Sequence, residues 1–509
     1  MPMLGRAVVA TALAALAVAC GADDQNGSST GGAAGSVSTG GSGGTTSTGG
    51  AAGSAGTTTV TSVTKDGITW TFSEAVVAGQ FVTGDYFVVG PVTVSAIDPA
   101  PTNSDPYLNG SVVNLPTADA KSGFDSRLND GVDESWWFDP AVRSYPPIAL
   151  QPGDALVSSV SLETPHTVPE VMRSVDVSIS PVASYSVLTV LGAIPPSDAF
   201  RPSYCDRSET LARAGNVQRN LLPSHAPPNP TMTPTLAQFE QWFRRPWIDT
   251  NPFLFDAPAE YMPSYGAQVA AAVGFASLTL MLDQPAEQKV ALTNYLVQYG
   301  IDLFGCVKAG YGWPGFGGHR SGRKLPIVLA GILLGDASMQ TVSAAYPDQF
   351  GEDMQTVYVT DIPGGYTAAW QGATVIYGGH YGVHPDGTPV SDDPLYGPYE
   401  QLQPAQWPLL TPDEQLGEAY RRCCTSLVWV GEALAVHLLA AESVWSYPAF
   451  FDYADRWMNE DDTQAVADIL AQSGFDYGAD WERQRQTAGY FQGGFPQYSF
   501  VDDMWAAYR

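Results

Sequence analysis

The chain has 509 residues, 44% hydrophobic and 11% aromatic, which is enough apolar material for large cores and more than one domain. Its net charge of −29, from 23 basic and 52 acidic side chains, argues against nucleic acid and against adhesion to anionic membrane as main partners. The same bulk charge repels polyanions, so any anion site must be a local concentration of cations.

In chain order, Met1–Cys20 reads as a secretory signal: Arg6, an apolar run from Val8 to Val18, then small residues before Cys20. The run is too short to span a bilayer. It resembles the bacterial lipoprotein signal, which implies a lipid anchor at Cys20 as the one link to membrane. Gly21 after that cysteine implies delivery to the outer membrane or cell surface. Residues 21–60 are Gly/Ser/Thr/Ala-rich, with STGGAAGS at 29–36 and again at 47–54, and read as a flexible linker.

Residues 61–200 alternate apolar with polar. Ile68–Phe72, Tyr86–Val89, Val92–Ala96, Ala155–Val160, Val175–Ile179 and Tyr185–Val190 are predicted strands separated by turn residues, and they point to a β-sandwich. Trp136 and Trp137, in a long polar loop, suit edge packing or a wall of a glycan groove. Residues 201–235 form a Pro-rich connector. From 236 to 509 the period is helical, with helices predicted at Leu236–Arg245, Gly266–Leu282, Pro285–Phe304, Pro326–Tyr346 with a break at Gly335, Glu414–Ala441, Pro448–Met458 and Asp462–Ser473. The fold class expected is therefore α+β multidomain, an N-terminal β-sandwich followed by a helical α/α toroid-like domain. Residues 350–412 are read as a functional loop insertion in that domain.

The stretch from Gly310 to Asp336 stands out. Glycines mix with Tyr311, Trp313 and Phe316, then His319, Arg320, Arg323 and Lys324 precede an apolar helix with Pro326 in its first turn. Cations at a helix N-terminus oppose the macrodipole. An anion held there by backbone N–H groups and side chains resolves the conflict, and so do buried carboxylates of the chain itself. In the insertion, Trp370 and the run Tyr377-Gly-Gly-His380-Tyr381-Gly-Val-His384 add aromatics and proton-transfer groups. The spacing of His380 and His384 would suit a metal on a helix, but three glycines between Tyr377 and Val383 deny one, so no metal and no cofactor are expected.

Arg421 shares an inward stripe with Cys424, Val428 and Gly431, whereas Arg422 is turned about 100° away on an α-helix. Adjacent cysteines seldom bond to each other, which points Cys423 and Cys424 to Cys205 and Cys306, with the connectivity open. No P-loop, dinucleotide fingerprint or Gly-x-Ser-x-Gly elbow sits in a strand-to-helix context.

Export signal, tether, β domain, helical domain and aromatic loops together resemble the secreted polysaccharide lyases of bacteria that combine an α/α toroid with a β-sandwich, here over residues 61–509 and in reversed domain order. The resemblance implies β-elimination on a uronate-containing polysaccharide or oligosaccharide. Such chemistry needs cations on the carboxylate, a base for the C5 proton and an acid for the leaving oxygen. His319, His380, Tyr377, Tyr381, Arg320 and Arg323 are the catalytic candidates, and Lys324, Trp313, Trp370, Arg421 and Glu260 the substrate-binding ones. A glycoside hydrolase using paired carboxylates is the rival, with Asp256, Glu260 and Glu418 available. A third reading is a glycan-binding lipoprotein without catalysis.

Overall fold

The computed structural model describes residues 56–127, 138–166, 180–208, 210–250, 259, 261–263, 266–361, 369, 372–378, 408, 421–461, 463–474 and 497–509. Eight strands lead the chain: β1 Thr58–Lys65, β2 Ile68–Gln80, β3 Tyr86–Val89, β4 Val92–Asp98, β5 Ser111–Val113, β6 Ile148–Leu150, β7 Ala155–His166 and β8 Ser180–Leu191. They join one curled sheet in the order β5-β7-β8-β3-β2-β4-β6, with β1 added on β2. Every pairing in it is antiparallel except β3 with β8. The first strand begins at Thr58, inside the stretch read as linker, because the polar, β-branched run TTVTSVTK pairs with β2 rather than burying a face of its own. The expected strand Val175–Ile179 lies outside the described residues.

Period-two patterning gives this sheet two covered faces. Ile68, Trp70 and Phe72 of β2 point into one cluster with Val94, Leu150, Leu156, Leu188 and Val190. Their neighbours Val157 and Val187 point the other way, into the core that also contains the helices. The sheet and the helical part therefore share a hydrophobic core.

The helices are α1 Leu236–Phe243, α2 Gly266–Leu280, α3 Val290–Lys308, α4 Lys324–Leu334, three short helices α5 Ala337–Gln340, α6 Val342–Ala345 and α7 Gly351–Met354, then α8 Ser426–Leu438, α9 Glu442–Trp445, α10 Pro448–Asn459, α11 Thr463–Ser473 and α12 Gln497–Tyr508. All of α2 is buried, as a helix apolar on every side must be. The predicted helix from Pro326 is broken at Gly335, whose φ of +68° closes α4 before Asp336 caps α5 by accepting from the Ser338 and Met339 N–H groups. The insertion read as irregular from Phe350 holds α7 and a hairpin of β9 (Thr356–Tyr358) with β10 (Val375–Tyr377).

The connector is pinned by a disulfide between Cys205 and Cys306, which corrects the pairing of these two with Cys423 and Cys424. The adjacency rule misled because it ignored that α3 carries Cys306 directly beneath the connector, where Gly305 already lies against Ser203. Among the described residues no helix is long and apolar enough to cross a membrane.

Candidate functional site

The start of α4 is built from below by α2. Gly322, at φ +93°, turns the chain where a Cβ would lie 2.3 Å from the Ala270 backbone nitrogen, so no larger residue fits without moving α2. The cations that follow are carried inward. Arg323 donates through Nε to Asp249 at 2.7 Å, and both side chains are buried. Lys324 pairs with Asp353 and lies 4.2 Å from the ring centre of Trp445, whose indole donates to the same carboxylate at 2.9 Å. Glu352 accepts from the Gly322 N–H. The anions expected at this helix start are thus supplied by carboxylates of the chain.

Burial outweighs these partners electrostatically. It pushes the Glu352 carboxyl up to about 7, against the help of the Gly322 N–H. Glu432, the lone acid of α8, is raised well above the usual range by burial and by Glu352 beside it. Neither Glu432 oxygen, nor the second oxygen of Glu352, has a hydrogen-bond partner among the described residues. Burial also presses the Lys324 ammonium down and the Asp353 carboxyl up.

The segment just before this network is more open. His319 and Arg320 are half-buried, and both rest on Phe316, the imidazole at 5.2 Å between ring centres and the guanidinium at 5.7 Å. Desolvation holds the Arg320 guanidinium below the usual arginine range. Trp313 is buried edge-on to Tyr311, and its backbone N–H donates to the Gln349 carbonyl at 2.8 Å. Tyr377, at the end of β10, is also fully buried. Its hydroxyl donates to Gln355 Oε1 at 3.4 Å, and Gln355 Nε2 donates to the Gly317 carbonyl at 2.9 Å. One glutamine thus ties the tyrosine to the loop that carries His319.

Of the residues named from sequence, the structure brings His319, Arg320, Arg323, Lys324, Trp313 and Tyr377 into this region. Arg421 is buried, with its guanidinium 5.5 Å from the Trp457 ring centre. Arg422, expected to be turned about 100° from it, is buried as well, and residues 421–425 form a π-helical turn. His380, Tyr381, Trp370 and Glu260 lie outside the described residues, as do Asp256, Glu418, Trp136 and Trp137.

Sequence reasoning missed Asp249, Glu352, Asp353, Gln355 and Glu432. One signal was available, since Glu432 is the single acidic residue in the largely apolar helix SLVWVGEALAVHL, whose last turn carries His437. Among the described residues no group of three or more His, Cys, Asp or Glu side chains is placed to hold a metal. Comparison with family models, with curated proteins and with solved structures found no match, so the functional reading rests on these residues alone.

Proposed function

We propose that the chain is an exported, surface-tethered enzyme that cleaves a uronate-containing polysaccharide by β-elimination. The observation that carries the reading is the Tyr377–Gln355–Gly317 hydrogen-bond chain, which ties a buried phenol to the loop that carries the half-buried pair His319 and Arg320. A poorly solvated guanidinium gains most from a substrate carboxylate, so Arg320 takes the charge that builds there. His319, the more open base, removes the C5 proton; the C4–O bond then breaks, a C4–C5 double bond forms, and the leaving oxygen takes a proton from an acid such as Tyr381 or His380. Arg323 and Lys324, spent on Asp249 and Asp353, position the loop and do not touch substrate. The finer architecture, a β-sandwich set before an α/α toroid, and the lipid anchor at Cys20 belong to the same proposal.

A glycoside hydrolase is the second reading, favoured by Glu352. A carboxyl with a pKa of about 7 keeps its proton near neutrality, as a general acid must. Incubation with acidic and neutral polysaccharides, following unsaturated uronate by ultraviolet absorbance and reducing ends together, tests both. Both signals are expected. Reducing ends alone would replace the lyase with the hydrolase, and binding with neither signal would leave a glycan-binding lipoprotein.

A further inference from the structure

The five cysteines of the chain leave one bond to be assigned. Cys205 and Cys306 are joined to each other, and Cys424 is disulfide-bonded as well. Its partner is therefore Cys20 or Cys423.

Loop closure favours the neighbour. Cys20 stands ahead of the Gly/Ser/Thr-rich stretch, so drawing it to the start of α8 would close a very long loop and order a tract with little apolar surface to bury. Cys423 is already in place. The usual objection to adjacent cysteines is geometric, since neighbouring side chains splay by about 100° on an α-helix. Here the backbone is not α-helical. Residues 421–425 form a π turn, and Thr425, directly after Cys424, has φ −126° and ψ −76°, outside the helical region.

We infer that Cys423 and Cys424 form a vicinal disulfide, and that it is the bond of this chain that a dithiol opens first. The bond is independent of the elimination proposed above.

The two bonds differ in shelter. Cys205 and Cys306 are buried, and the Cys205 N–H donates to Ser203 Oγ at 3.1 Å, which donates in turn to the Asp302 carbonyl at 2.8 Å. Arg201 locks the same segment, donating to both oxygens of the Asp302 side chain at 2.9 and 2.7 Å and to Asp85 Oδ2 at 3.1 Å. A thiolate reaches sulfur there by local unfolding. Cys424 is half-buried, at a break in a helix. One thiolate of the dithiol attacks Cys424 Sγ, the S–S bond breaks and Cys423 leaves as a thiolate. The second thiolate of the reagent then displaces Cys424. The dithiol is oxidised to its cyclic disulfide, a pair of electrons passes to the protein, and both cysteines take protons from solvent.

Peptide mapping of the full chain tests both parts. Trypsin cuts after Arg422 and Arg456, and the peptide between them holds Cys423 and Cys424 and no other cysteine. Denatured and alkylated without reduction, that peptide should carry no label and weigh two hydrogens less than its dithiol form. After reduction it should take a label on each cysteine. Native protein treated with dithiothreitol for increasing times and then alkylated should label this peptide about tenfold faster or more than the peptides of Cys205 and Cys306. A link from Cys424 to another peptide, or labelled thiols at both positions without reduction, overturns the vicinal bond. Equal rates, or earlier opening of Cys205–Cys306, overturn the order of reduction.

Discussion

The two buried charge clusters differ in balance. At the sheet–helix junction one arginine stands between two aspartates, and its donors are used on both carboxylates and the Pro202 carbonyl. At the start of α4, Asp249, Glu352, Asp353 and Glu432 act on only two cations of the network, Arg323 and Lys324, and three carboxyl oxygens find no hydrogen-bond partner among the described residues. The first arrangement is a clamp. The second keeps acid in reserve at a place where protonation decides the local charge, and such imbalance is more typical of functional sites than of scaffolding.

Breaking the clamp should have the largest effect. Arg201→Leu strands two buried carboxylates and should cost about 3–5 kcal/mol in urea unfolding. A loss under about 1 kcal/mol would mean that the junction relaxes and admits water.

Next comes the α4 cluster, where paired variants sharpen the contrast between cations. Arg323→Gln leaves Asp249 buried without its ion pair and should cost about 3 kcal/mol or more, seen as a clear fall in melting temperature. Arg320→Gln, at a half-buried position, should barely move the melting temperature yet lower turnover on a uronate polymer about tenfold or more. If Arg320→Gln unfolds the protein instead, its assignment to substrate is wrong.

The reserve of acid predicts a pH dependence of opposite sign to an ordinary salt bridge. Between about 4.5 and about 7 the folded state holds the Glu352 proton that the unfolded chain has released, so stability falls as pH rises through that window. The loss amounts to about 3 kcal/mol at 1.36 kcal/mol per pH unit. Glu352→Gln should flatten this part of the profile in melting experiments from pH 4 to 8. An unchanged slope would show that Glu352 ionises freely.

The smallest effect on stability is expected from Tyr377→Phe, which removes one long hydrogen bond to Gln355 and should cost less than about 1 kcal/mol. Its turnover should fall all the same. Full activity in that variant would show that the tie through Gln355 does not position the His319 loop.

The strands and helices were legible where periodicity was strong. β2 alternates over Ile68–Phe72, β7 and β8 are rich in β-branched residues buried on both faces, and α2 and α4 are almost wholly apolar, so their positions follow from burial. β5 and β6, three residues each, carry too few alternations to register, and they exist because β7 and β4 offer them an edge. At the site, His319 to Lys324 declared itself by breaking the helix-dipole rule. Its carboxylate partners did not, because Asp249 and Asp353 lie 74 and 29 residues from the cations they pair with, and nothing local marks such a distance. The π-helical turn at 421–425 was not legible either, since nothing in the run Arg-Arg-Cys-Cys-Thr sets it apart from an α-helix.

Strand β7 carries a consequence for how this protein can be handled and inherited. Its Leu156 completes the core inside the curl, while Val157, the next residue, completes the core that reaches the helices. A shift of one residue in that strand would exchange the two and spoil both cores at once. Neither half is then a portable module. Cutting between the sheet and the helices would expose a greasy face on each fragment and favour clumping over solubility. Any shuffling of this architecture between genes must carry both parts together, with the seam through β7 kept intact.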